Sequence, residues 1–245
     1  MEPVWQDITT EQQGELYQSS LITALLQGVY DGDTTYAEVM QHGDFGLGTF
    51  NALDGEMVAV HGEFYQLHSD GRATPVRPDQ KTPFATVTHF VPQKSAEITN
   101  VIDKAHLLSF IKTAAETNLF TAIQIDGLFR ELHTRTVAKQ VAPYPTLTAA
   151  TEGQIKNAFH MQRGTLAGFL SPQYAQGFQV GGFHLHFLSE DRRSGGHMLD
   201  FVAEQVTVRI ASIHRLRVEL PTSASFLKAA MDGEDISREV KKAEG

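Results

Sequence analysis

The sequence predicts an α+β protein of two lobes, built from mixed and antiparallel β-sheets with a few short helices. Three observations lead there. Runs rich in β-branched and aromatic residues are separated by Asp-Gly pairs at Asp54-Gly55, Asp70-Gly71 and Asp126-Gly127, and this dipeptide suits tight hairpin turns. Residues 103–117 group their apolar side chains as one side of an amphipathic helix does. Pro143, Pro145 and a Thr- and Ala-rich stretch up to Gly153 read as a linker, which gives an N-terminal lobe of residues 1–142 and a C-terminal lobe of residues 150–245.

The elements follow in order. Residues 15–20 read as a short strand, and the apolar patch 21–26 comes next. Thr35-Tyr36-Ala37-Glu38 has the spacing of a capping box, in which hydroxyl and carboxylate each satisfy a backbone N–H at a helix start; Gly43 is placed to stop that helix. Residues 45–51, 56–61 and 63–68 form a meander, and residues 82–91 are another β-rich run. Leu107, Leu108, Phe110, Ile111, Ala114 and Ala115 carry the amphipathic helix. Residues 119–125 and 128–137 read as a hairpin around Asp126-Gly127. Strands are expected at 164–170, 178–188, 197–210 and 215–220, with short helical segments from Ser223 and Asp235 closing the chain.

Composition narrows the function. A hydrophobic share of 41% and a charged share of 20% belong to a soluble globular protein. The net charge of -9 and the lack of clustered Lys and Arg argue against nucleic acid as a partner. With no cysteine, disulfides, thiolate metal sites and cysteine nucleophiles all drop out, leaving histidine and carboxylates as strong metal ligands. No basic-then-apolar leader opens the chain and no apolar run reaches the length of a membrane span, so a cytoplasmic protein with no membrane partner is expected.

The densest chemical signal is Gly181-Gly182-Phe183-His184-Leu185-His186-Phe187, followed after a charged Gly-containing stretch by His197. On a strand, His184 and His186 share a face at a spacing of about 6.5 to 7 Å, because side chains alternate with period two. A hairpin would return His197 beside them. Three neutral imidazoles with an open position are the ligand set of a catalytic zinc. His42, His61, His68, His89, His106, His133, His160 and His214 show no such pairing and read as ordinary. The first half contributes Glu56, directly after the Asp54-Gly55 turn, and Arg135, on the same strand face as His133 and Val137. The metal site would then lie between the lobes.

The segments from Gly43 to Glu56 (GDFGLGTFNALDGE), Thr82-Pro83-Phe84-Ala85, Thr134-Arg135-Thr136-Val137 and 181–187 occur in the order of the α-acetolactate decarboxylase family, which this chain resembles from about Leu21 to Glu244. The resemblance implies a carbon-carbon lyase of the acetoin and butanediol pathway, commonly a homodimer, that turns (S)-2-acetolactate into (R)-acetoin and carbon dioxide with zinc as cofactor. It implies His184, His186 and His197 as metal ligands, Glu56 and Arg135 as catalytic residues, and Thr49 lining the same pocket. A second functional glutamate is implied near the C-terminus; Glu244 is its counterpart, with Glu239 as a competitor.

The chemistry is consistent with those groups. Loss of carbon dioxide from a β-keto acid leaves an electron pair that needs a sink, and a metal ion among neutral ligands keeps its full charge for that purpose. Acetolactate carries a hydroxyl and a ketone on adjacent carbons, which can chelate zinc. A glutamic acid in a low-dielectric site can protonate the resulting enediolate on one face, Glu56 with Glu244 as helper. Arg135, always cationic, can hold the carboxylate or the developing oxyanion. Three alternatives stay open at this point: a zinc hydrolase with the same three histidine ligands and Glu56 as base, a non-catalytic metabolite-binding module, and a structural zinc with a fourth ligand from Glu190, Asp191 or Asp200.

Overall fold

The computed structural model describes residues 3–10, 14–231, 238–240 and 243. Among them, two large sheets carry the fold. The first runs in the order β1 (Gln6–Asp7), β10 (Lys94–Ile98), β15 (Gly195–Ile213), β12 (Phe120–Thr136), β13 (Ile155–Ser171), β14 (Gly182–Ser189), with β11 (Ile102–Asp103) also on β15. The second runs β16 (Arg215–Glu219), β2 (Glu15–Ser19), β9 (Ala85–Thr88), β4 (Phe45–Thr49), β5 (Glu56–Val60), β6 (Glu63–Leu67), β7 (Ala73–Pro75). Every pairing in these two sheets is antiparallel except β16 on β2. A small ribbon of β3 (Thr34–Thr35) and β8 (Lys81–Thr82) stands apart.

The helices are short: α1 (Ile22–Leu26), α2 (Tyr36–Val39), α3 (Lys104–Lys112), α4 (Leu147–Glu152) and α5 (Ala224–Lys228). None of the described helices is long and apolar enough to cross a membrane. The capping box is formed: Glu38 N–H donates to Thr35 Oγ1 at 3.3 Å and Thr35 N–H to Glu38 Oε2 at 2.7 Å. The helix it starts stops at Val39, a turn before the expected Gly43. Asp103 and Ser223 cap α3 and α5 through side-chain oxygens, while the segment expected from Asp235 begins outside the described residues.

Two expectations are corrected. Asp126-Gly127 is no hairpin turn but the middle of β12, one strand of 17 residues. Gly127 has φ +149°, and a Cβ there would sit 2.0 Å from the carbonyl oxygen of Gln205 on β15. Glycine is needed for close approach of the neighbouring strand, not for chain reversal. The stretch after Pro143 is likewise no free linker. Thr146 caps α4, and its Leu147 and Ala150, three apart on one face, bury against Ile22, Leu25 and Leu26 of α1.

Strands from both sides of that stretch share the sheets, β10 and β12 with β13 to β15, and β2 with β16. The sheets pack on each other through Phe45, Leu47, Val58 and Leu67 from one and Ala122, Phe169, Leu188 and Ile213 from the other. Each large side chain fully buried there contributes roughly 1.5–3 kcal/mol. A further detail positions the site: β12 pairs with β13, β13 with β14, β14 with β15 and β15 with β12, so these four strands close a ring.

Candidate metal centre

Where the ring closes, His197 on β15 has His186 of β14 as its partner on one side and Arg135 of β12 on the other. His184 lies two residues before His186 and therefore on the same face. The expected hairpin and shared face are both present. Ring centroids are 5.1 Å apart for His184 and His186, 5.0 Å for His184 and His197, and 5.3 Å for His186 and His197. One nitrogen from each ring lies within 4.8 Å of the others, a spacing that can surround a metal ion. All three are buried.

The donor set suits such an ion. His186 Nδ1 is 2.7 Å from the Met57 carbonyl oxygen, which only accepts, so Nδ1 carries the proton and Nε2 keeps its lone pair. Burial, and then the positive charge of Arg135, push the His184 imidazole down to about 3, so it is neutral at any working pH. Among the described residues the group holds no carboxylate. Glu190 pairs instead with Arg163 at 3.4 Å, Asp191 accepts from Ser189 Oγ at 2.6 Å, and Asp200 accepts from the Phe201 N–H at 2.9 Å. Those three acids are thus engaged elsewhere, which leaves the closed structural-zinc reading without its proposed fourth ligand.

The second sheet brings its residues to the same place. Thr49 and Glu56 are register partners on β4 and β5, and Thr49 Oγ1 donates to the Gly55 carbonyl at 2.7 Å, fixing the bend that launches Glu56. Gly55 itself has φ +88°, a conformation that favours glycine. Glu56 Oε2 then sits 3.9 Å from His186 Nε2. Arg135 is 4% exposed; its NH2 group is 3.3 Å from His197 Nε2, and its NH1 donates to Gln154 Oε1 at 2.9 Å. Thr49, Glu56 and Arg135 line one cavity of about 30 Å³, walled also by Leu25, Leu147 and Ala243. Three larger cavities, of about 550, 590 and 260 Å³, include none of these residues.

The structure therefore assembles His184, His186, His197, Thr49, Glu56 and Arg135. Glu244 lies outside the described residues, and Glu239 is not among the residues lining the cavity. Sequence reasoning missed three contributors. Gln154 holds Arg135; the Met57 carbonyl orients His186; and Tyr36, fully buried with its pKa pushed up by burial, donates its hydroxyl to the Thr49 carbonyl at 2.7 Å. No motif announces them, because each acts through a tertiary neighbour. Other histidines have ordinary partners, such as His42 stacked on Tyr17 and His68 bonded to Thr74.

The sequence profile of the family described as alpha-acetolactate decarboxylase matches residues 16–233. The chain is 44% identical over 230 residues to the alpha-acetolactate decarboxylase of Raoultella terrigena, covering 94% of this chain and 89% of that one. It is 44% identical over 232 residues to the protein of the same name from Bacillus subtilis (strain 168), covering 94% and 91%. The crystal structure of the Bacillus subtilis strain 168 enzyme superposes with a TM-score of 0.93 at 43% identity, over 95% of this chain and all of that one.

Proposed function

The chain belongs to the alpha-acetolactate decarboxylase family, and on that premise we propose that it converts (S)-2-acetolactate into (R)-acetoin and carbon dioxide, with zinc held by His184, His186 and His197. The observation that carries the reading is the convergence of three buried imidazoles with Arg135 and Glu56, two residues that also line a cavity. A zinc ion bound there supplies a Lewis acid for the electron pair left when carbon dioxide departs.

The protein's own groups do the rest. Arg135, aimed by its bond to Gln154, grips the substrate carboxylate with its planar fork. The cavity's apolar walls, Leu25 and Leu147, take the methyl groups and keep water from the reacting carbon. Glu56 delivers a proton to the carbon that lost the carboxylate, from one side only, which makes the product a single enantiomer. Thr49 holds the bend before Glu56 and so sets where that proton is presented. Glu244 assists the proton transfer in this reading.

Incubating the purified protein with racemic 2-acetolactate and measuring acetoin, carbon dioxide and product chirality tests the proposal. One equivalent each of carbon dioxide and (R)-acetoin per (S)-acetolactate consumed is expected. Binding of acetolactate without turnover would instead identify a metabolite-binding module.

A further inference from the structure

The Arg135 guanidinium is bracketed by an imidazole and a carboxamide. Gln154 follows Gly153, the C-cap of α4, and precedes Ile155, the first residue of β13. Its N–H donates to the Thr151 carbonyl at 3.2 Å, tying it to the helix end. On its other side the β12–β13 ladder places Ile155 opposite Thr136 and Lys156 opposite Arg135. Backbone on both sides of Gln154 is therefore fixed, and its side-chain oxygen reaches the Arg135 NH1 at 2.9 Å in a part-buried position. A carboxylate would fit the same space and bond the guanidinium more strongly. It would also place a negative charge where the substrate's own carboxylate must compete for the cation. A carboxamide orients the fork and adds no charge.

We propose that Gln154 is a positioning residue for the carboxylate clamp: it pre-orders Arg135 for an anionic substrate while remaining a neutral partner to it. The inference rests on the assignment of Arg135 to the substrate carboxylate. Pre-ordering a long side chain lowers the cost of binding, so its loss shows in affinity for the anion and not in affinity for a neutral ligand of similar shape.

Two variants of the zinc-loaded enzyme separate these effects. Gln154→Met keeps length and volume but removes the acceptor; Gln154→Glu keeps the shape but adds the charge. KM and kcat for acetolactate, the inhibition constant of the neutral product acetoin, and bound zinc are measured for both. Gln154→Met is expected to raise KM by about threefold to tenfold, the net worth of one typical hydrogen bond, and Gln154→Glu by about tenfold or more. Acetoin inhibition and zinc content should stay near wild type, with kcat changing less than KM. Unchanged KM in both variants, or a loss carried by kcat and acetoin affinity alike, overturns the proposal. Arg135→Ala, assayed in parallel, keeps the two readings apart. If it raises KM while the Gln154 variants do not, only the role of Gln154 falls; if it leaves KM unchanged, the assignment of Arg135 falls first.

Discussion

His186 joins two structural tasks in one ring, since Nδ1 is spent on the Met57 carbonyl and Nε2 faces the site. His186→Ala removes one of three proposed metal donors and a tie between the sheets, so bound zinc and activity should both be lost. His160→Ala, on an exposed part of β13, should keep both, and elemental analysis of the two proteins checks this. Glu56→Gln preserves shape but has no acidic proton to give. Turnover should fall by about 10² to 10⁴ with zinc retained, and the acetoin formed should lose enantiomeric purity as water replaces the directed donor. Chiral chromatography of the product reads that result; retained rate and chirality would pass the proton-donor role to another group. Arg135→Lys keeps the charge without the planar fork and should retain more activity than Arg135→Ala in steady-state assays.

At the scale of elements, the same dipeptide has different meanings in different neighbourhoods. Asp54-Gly55 does precede a strand, whereas Asp126-Gly127 lies inside β12, where Gly127 makes room for Gln205. Gly127→Ala should cost at least about 2 kcal/mol, a fall in Tm of roughly 4–8 °C for a chain of this size. Gly153→Ala is the control: at φ -93° with nothing within 4 Å of an added Cβ, it should be neutral or stabilising by up to about 1 kcal/mol. Thermal melts of both variants check the contrast. What was legible in the sequence was what local rules govern: the period-two face of His184 and His186, the hairpin return of His197, and the Thr35–Glu38 box. The 17-residue length of β12 and the packing of α4 on α1 were hidden, because a partner strand or helix decides them. The position of Gln154 beside Arg135 depends on the register between β12 and β13, which no spacing along the chain reports.

For the whole molecule, the proposed ion's three ligands stand on β14 and β15 of one sheet, and Met57 of the other sheet orients one of them, so the ion favours the folded chain. Ligand binding to the folded state alone stabilises it, by about 4 kcal/mol when free zinc exceeds its dissociation constant a thousandfold. Chelation should therefore lower Tm and zinc should restore it, as calorimetry can measure; an unchanged Tm in chelator would count against a metal at these histidines. The cavity walls join residues as far apart along the chain as Leu25 and Ala243. A polypeptide still growing on the ribosome, or one cut short before Ala243, would lack part of the pocket wall. A chain cut back past Ala243 should make acetoin more slowly than the uncut chain, which a product assay of the two proteins checks.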